Sequence, residues 1–258
     1  MLLWCACGAT VLIGMAYGVF FSKWLVVSRV SIEGNKKTQS VDIRAVVDGY
    51  MSKKLFSRIP RNTFFLVMPK DLQKTLDKRF SELAAVWVVK TFPNRLAVRV
   101  REREFSGIWC GTSSACFLMD TEGVLYGEGP SSSGTLVLTV RGSEVGSMGS
   151  AVVSTSVVAS LAHMHNLTRT QFNLAAAEFD IRNLPDVAAR ITDGWELRFD
   201  ALRKPQETLD ALRETLAWIT EKQKGEGVRK ELEYIDLRIE GRAYYKFKGN
   251  DATLKPET

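Results

Sequence analysis

The sequence is short of the residues from which enzymes and metal sites are usually built. Histidine occurs only twice, as His163 and His165. The two lie two apart in a segment of helical spacing, so their rings point to different sides and cannot share a metal as an i, i+4 pair does. No Gly-x-Ser-x-Gly elbow, phosphate-binding loop or glycine-rich dinucleotide turn is present. Acidic residues are dispersed, and no Cys/His arrangement supplies a nucleophile with its base. These absences argue against catalysis, a metal and a cofactor. Runs of basic charge are missing too. The net charge of +6 over 258 residues is scattered. That suits mild attraction to anionic surfaces such as lipid headgroups and is not the footprint of a nucleic-acid binder. No repeat of fixed period and no long low-complexity segment breaks the chain.

The chain has enough apolar residues, 45% of the total, to build real cores, and its length suggests about two domains. No charged side chain occurs before Lys23 in "MLLWCACGATVLIGMAYGVFFSK". Residues 1–22 therefore read as a membrane-spanning helix, with Trp4 and Trp24 suited to the two interfaces. A cleaved signal peptide would have a basic start and a shorter apolar region, and a buried helix of a soluble fold is the remaining alternative. Lys23, Arg29, Lys36 and Lys37 all follow the run; counted by themselves they place the next domain in the cytoplasm.

Of four cysteines, Cys5 and Cys7 lie in that run. Cys110 and Cys116 flank "GTSSA", where two strands joined by the loop would bring them close. The pair is compatible with a cross-strand disulfide in an oxidising compartment and with two free structural thiols. Its spacing is not that of a zinc or Cys-x-x-Cys redox motif.

Residues 26–103 read as a small α+β domain. Val26 to Ile32 is β-rich, and Gly34-Asn35 is a turn signal. Ser40 is expected to cap a helix carrying Ile43, Val46, Val47, Tyr50 and Met51 on one face. Pro69 and Asp71 open a second helix with a Leu72, Leu76, Phe80, Leu83 stripe. "AVWVVKTFPNRLAVRVRERE" then reads as a hairpin turning at Pro93-Asn94. Leu96, Val98 and Val100 face inward and Arg99 and Arg101 outward. Two helices on one side of three strands, in the order βααββ, is the expected architecture.

From Glu104 onward, strands dominate, in a mostly antiparallel β domain with flanking helices. "IWC", "CFLMD" and "GTLVLTV" read as strands, and "LMDTEGVLYG" as a hairpin. Val153, Val157, Leu161 and Met164 have helical spacing. Three alternating strands follow, with Ala177, Phe179 and Ile181, then Val187, Ala189 and Ile191, then Trp195, Leu197 and Phe199 facing inward. A Thr192-Asp193-Gly194 loop sets the register of the last two. A helix from Pro205 buries Leu209, Leu212, Leu216 and Ile219.

The last hairpin, "EYIDLRIEGRAYYKFK", is aromatic and basic. A three-residue loop, Glu240-Gly241-Arg242, pairs Ile239 with Ala243, Leu237 with Tyr245 and Ile235 with Phe247. The other face then pairs Arg238 with Tyr244, Asp236 with Lys246 and Tyr234 with Lys248. The final strand has no successor, so an open edge is expected. Such an edge is either blunted by its lysines or used to receive a partner strand.

The order of apolar run, "VSIEGN", two helices, "VKTFPNRLAVRVRERE", "LMDTEGVLY" and "YIDLR" resembles the FtsQ/DivIB bacterial cell-division proteins over nearly the whole chain. The motif residues are Gly34, Asn35, Phe92, Pro93, Asn94, Glu102, Arg103, Asp236, Leu237 and Arg238. The resemblance implies a single-pass inner-membrane protein with its bulk outside the cytoplasm. It implies a membrane anchor at 1–22, a POTRA domain at 26–103, an FtsQ-type β domain at 104–249 and a flexible tail at 250–258. The family has no enzymatic activity and no cofactor. It links early and late division proteins and binds bitopic FtsB/DivIC-type and FtsL-type partners that help control septal peptidoglycan synthesis. In the family the partner's strand adds to the last strand of the β domain, which here implies Ile239, Arg242, Tyr244, Tyr245 and Phe247. The family usually has a basic cytoplasmic tail before the anchor; the sequence opens directly into the apolar run, from which a truncated start is expected. The runner-up reading is a POTRA-bearing component of protein export or envelope assembly. Such proteins carry repeated POTRA modules or a barrel, and the sequence shows neither.

Overall fold

The computed structural model describes residue 14 and residues 23–55, 59–112, 115–131, 134–223, 228–249 and 253–254. The expected membrane anchor at 1–22 lies outside the described residues apart from Gly14. Among the described residues, no helix is long and apolar enough to cross a membrane. The chain divides into two compact units between Arg103 and Glu104, and each is α+β.

The first unit runs β1 (Arg29–Glu33), α1 (Ser40–Ser52), β2 (Lys54–Leu55), β3 (Ile59–Pro60), α2 (Pro69–Arg79), β4 (Leu83–Thr91) and β5 (Arg95–Glu102). β5 lies central, parallel to β1 and antiparallel to β4. The helices bury Ile43, Val47, Tyr50, Leu72 and Leu76 against Val86, Leu96, Val98 and Val100 from the sheet. Their apolar spacing fixes the face, and Pro69 at the first position of α2 with Asp71 in its first turn sets where that helix begins. α1 begins differently from expectation. Ser40 is its first helical residue, and Gln39 holds the cap position without a side-chain bond. The Ser40 hydroxyl accepts from the Asn35 amide at 3.0 Å. The two-residue β2–β3 pair is an addition to the expected order.

The second unit runs β6 (Phe105–Cys110), β7 (Cys116–Asp120), β8 (Leu125–Gly129), β9 (Thr139–Arg141), α3 (Thr155–Phe172), β10 (Ala176–Asn183), β11 (Asp186–Ile191) and β12 (Glu196–Asp200). α4 (Pro205–Gln223), α5 (Val228–Glu231), β13 (Leu232–Asp236), β14 (Tyr244–Phe247) and β15 (Thr253–Leu254) complete it. All ten strands form one mixed sheet in the order β15-β14-β13-β12-β11-β10-β9-β6-β7-β8. β9 is parallel to both its neighbours, and β12 is parallel to β13. α3 and α4 cover one face. Leu161, Met164, Leu209, Leu212, Leu216 and Ile219 share a core with Phe179, Leu197, Phe199 and Ile235. The other face carries ion pairs, among them Arg141–Glu178 at 2.7 Å and Arg198–Glu196 at 2.9 Å, and on β6 and β7 a small apolar cluster of Ile108, Cys110 and Cys116. The alternation of β11 and β12 is as expected, with Val187 opposite Phe199 and Ala189 opposite Leu197. Gly194 has φ +89° in the turn between them, the left-handed backbone that loop requires.

Four local expectations need correction. Ala176, not Ala177, faces the core beside Phe179 and Ile181, because the ladder to β11 shifts between Ala176 and Glu178. Val153 precedes α3, since Ser154 caps that helix by accepting from the Val157 N–H. Of "GTLVLTV" only Thr139 and Val140 belong to a strand, which continues to Arg141; its partners are non-local and parallel. The segment 250–258, expected as a flexible tail, contains β15, which pairs with β14.

Candidate functional site

The candidate site is built from β12, β13 and β14 with the loop between the last two. Leu197 and Ile235 alternate inward, so Arg198, Tyr234 and Asp236 point to the polar face. The Arg198 guanidinium lies 4.2 Å from the centre of the Tyr234 ring, and Lys246 pairs with Glu233 at 3.0 Å. The cation–aromatic partner of Tyr234 is thus Arg198 from β12, where Lys248 was expected.

The ladder places Ile235 opposite Tyr245, Asp236 opposite Tyr244 and Tyr234 opposite Lys246. This is two residues away from the expected register, so the tight Glu240-Gly241-Arg242 loop is replaced by a longer connection. The cause lies in the motif Asp236-Leu237-Arg238. Arg238 donates to Asp236 at 2.9 and 2.6 Å and reaches Asp186 of β11 at 2.8 Å. Arg203 donates to the carbonyls of Leu237 and Arg238 at 3.0 and 3.1 Å. The Leu237 N–H donates to the Arg198 carbonyl at 2.8 Å. These bonds hold 237 and 238 against β12 and out of the β14 ladder. Burial pushes the Asp236 carboxyl up, but the Arg238 side chain and N–H outweigh it and hold the group below the usual carboxylate range.

The structure separates the five residues implied as partner-binding. Ile239 and Arg242 lie on the exposed connection, outside any strand; Ile239 is 53% exposed. Tyr244 is half-buried on the polar face. Tyr245 is 6% exposed and belongs to the core, with its ring 5.6 Å from Trp218 and 5.6 Å from Phe247. Phe247 packs partly buried against the same core. Strand alternation therefore gives the outer surface of β14 to Tyr244 and Lys246.

The edge itself is not open along its length. β15 pairs Leu254 with Tyr244 and Thr253 with Tyr245. The expectation that no later segment covers the last strand is corrected on this point. Among the described residues, this pairing lies at the Tyr244–Tyr245 end of β14. Sequence reading missed Arg203, Asp186 and Trp218. Each acts from more than 25 residues away, and a short-range pattern carries no signal for such a contact.

The other motif residues have structural places. Gly34 has φ +91°, and a Cβ there would fall 2.1 Å from the Val100 carbonyl oxygen. Asn35 donates to the Thr38 carbonyl at 2.9 Å. The Glu102 carboxylate accepts the N–H groups of Lys36, Lys37 and Thr38, and Arg103 donates to the Ser81 carbonyl at 3.0 Å. The Asn94 carbonyl at the β4–β5 turn accepts the N–H groups of Ser28 and Arg29, while the Phe92 ring stacks edge-on with Trp24 and Phe64 beside Pro93. Cys110 and Cys116 stand opposite each other on β6 and β7 as a disulfide, with Cα atoms 4.3 Å apart, beside Ile108. His165 is buried and hydrogen-bonded through Nε2 to the Thr135 carbonyl at 3.1 Å. Among the described residues, no three of His, Cys, Asp and Glu cluster to hold a metal ion.

Compared with known families, residues 25–103 match the POTRA domain, FtsQ-type. The match covers the whole of the first unit from Leu25 onward. It points to a scaffolding role in bacterial cell division and to protein–protein interaction in the divisome. No curated protein matches the chain.

Proposed function

From a chain whose residues 25–103 form an FtsQ-type POTRA domain, we propose a non-enzymatic divisome scaffold that captures a bitopic FtsB/DivIC-type partner by strand addition at β14. Residues 1–22 anchor it in the inner membrane, with both units outside the cytoplasm. It links early and late division proteins, binds an FtsL-type partner with the first, and so helps control septal peptidoglycan synthesis. A disulfide between Cys110 and Cys116 suits the oxidising side of that membrane.

The observation that carries the proposal is the position of β14. It is a full ladder partner of β13 on one side, and among the described residues it meets Thr253 and Leu254 of β15 on the other. An extended partner segment gains a ladder of main-chain bonds by pairing along Tyr244–Phe247. It displaces Thr253–Leu254 as it does so, and Tyr244 and Lys246 offer side-chain contacts on the polar face.

Hydrogen exchange tests this on the full chain, with and without a peptide from the extracytoplasmic segment of an FtsB/DivIC-type protein. Slowed exchange at Tyr244–Phe247 is expected on binding. A peptide that binds while leaving these amides unchanged overturns strand addition at this edge.

A further inference from the structure

The first unit carries an exposed aromatic surface at the end where the chain enters it. Trp24 packs edge-on against Phe92 at 5.9 Å, Phe92 against Phe64 at 5.7 Å, and Phe64 against Phe65 at 5.5 Å. Trp24 is 66% exposed, Phe92 58% and Phe65 51%, so the group stacks on itself and turns its surface to solvent. It is held firmly. Lys90 donates to the carbonyls of Phe64 and Val67 at 2.7 and 2.9 Å and lies 4.8 Å from the Phe64 ring centre. The Phe64 N–H donates to the Leu25 carbonyl and the Val27 N–H to the Asn62 carbonyl, both at 2.8 Å.

Two arginines stand next to this surface. Arg29 and Arg95 are directly opposite each other at the start of β1 and β5, three residues past Phe92. Both are exposed, and they line a shallow cleft with Ser28, Ser31, Thr91 and Arg44 in which, among the described residues, there is no carboxylate. Like charges directly opposite on neighbouring strands are unfavourable for folding alone. Arg99, further along the same face, is by contrast paired with Glu33 at 3.2 Å. A pair of cations without an acid, bordering exposed aromatic rings, is the chemistry of a membrane interface: rings at headgroup level and guanidinium groups on phosphates.

The chain itself names the occupant. Only Lys23 separates the uncharged run of residues 1–22 from Trp24, and Leu25 is already bonded into the domain. A spanning segment there leaves no linker, so this end of the domain meets the bilayer surface. We infer that the Trp24–Phe64–Phe65–Phe92 surface with Arg29 and Arg95 docks the POTRA domain on anionic lipid headgroups. The inference rests on the anchored reading above and adds to it a fixed orientation of the domain against the membrane.

The test uses the full chain with Cys5→Ala and Cys7→Ala, reconstituted in vesicles of phosphatidylethanolamine and phosphatidylglycerol. An environment-sensitive fluorophore is placed through Phe65→Cys, or through Val41→Cys as reference. Val41 is 73% exposed in the first turn of α1, which follows the turn at the Glu33 end of β1. Headgroup-level spin-labelled lipid is expected to quench the probe at 65 and not at 41. Arg29→Glu with Arg95→Glu is expected to cut the docked-to-undocked ratio by about tenfold or more. Equal, weak quenching at both positions in a chain that resists carbonate extraction overturns the docking surface alone. Release of the chain by carbonate overturns the anchored reading with it. Self-quenching of the 65 probe that rises with protein density, without lipid quenching, assigns the surface to a second copy and overturns the inference. Undiminished quenching in the double charge variant removes the arginines from it.

Discussion

The carboxylate of Glu102 accepts the backbone N–H of Thr38 at 2.8 Å, across 64 residues of sequence. The same carboxylate takes the N–H groups of Lys36 and Lys37 at 2.8 and 2.9 Å. The turn after β1 thus presents three donors to one acid at the end of β5. Gly34 permits it, since any larger residue would meet the Val100 carbonyl. Burial pushes the Glu102 carboxyl up, but the three backbone donors prevail and hold it below its usual 4.5. A depressed carboxylate contributes stability that is present above the unfolded value and lost as pH falls through the folded one. Glu102→Gln keeps one acceptor and loses the charge. It is expected to destabilise the POTRA domain by about 1 kcal/mol at neutral pH, a figure discounted for partial solvent access. The difference should vanish as pH falls well below 4.5, where the native acid is also neutral. Urea titrations of both proteins across that range check it. A gap that persists in acid would mean the charge is not what the turn recognises.

Tyr244 and Tyr245 separate docking from folding. Tyr245 is buried against Trp218 and Phe247, so Tyr245→Ala removes a core ring and should cost about 3 kcal/mol. Tyr244 is half-buried on the polar face, and Tyr244→Ala should cost less than about 1 kcal/mol. Loss of partner capture by Tyr245→Ala therefore reads as damage to the sheet. Loss in Tyr244→Ala at unchanged stability reads as a lost contact. Chemical denaturation alongside a binding titration distinguishes them, and equal stability costs at the two positions would contradict the alternation assigned to β14.

Much of the fold was legible because it is written in local periods. Ile43, Val47 and Tyr50, or Val187 and Ala189, repeat at the spacing of a helix or strand face, and burial follows. The register of the last hairpin was not legible. A slip of two residues keeps every side chain on its face, so the period of two cannot detect it. The deciding force is the long-range grip of Asp186 and Arg203 on 237–238. The parallel placement of β9, and the antiparallel pairing of Thr253–Leu254 with β14, likewise depend on partners far along the chain or on backbone pairing that composition does not encode. The aromatic surface around Phe92 was hidden for the same reason: Trp24, Phe64 and Phe92 come from three separate segments. The individual motif residues were found, but their work was not. Glu102 reads in the sequence as one acid among arginines, and only the fold shows it closing the turn at Lys36–Thr38.

The β unit should respond to acid earlier than the POTRA domain, through His165. Its ring is buried between α3 and the Phe179 ring, 6.1 Å away centre to centre. Burial lowers its pKa below the usual 6.5; the Thr135 carbonyl works the other way, and the positive charge of Arg169 lowers it further. The folded state therefore holds the imidazole neutral at pH values where the unfolded chain has begun to protonate it. By linkage the stability from the neutral ring is fully present above 6.5 and declines as pH falls from there towards the folded value. His165→Gln retains an N–H donor for the Thr135 carbonyl and does not titrate. Its stability is expected to change less than that of the native protein as pH is lowered from about 7 to 5. Thermal unfolding followed through the buried tryptophans of this unit, Trp109 and Trp195, measures both profiles. Parallel profiles would show that the acid response lies elsewhere, in carboxylates such as Asp236 and Asp180, whose depressed values place their loss at lower pH.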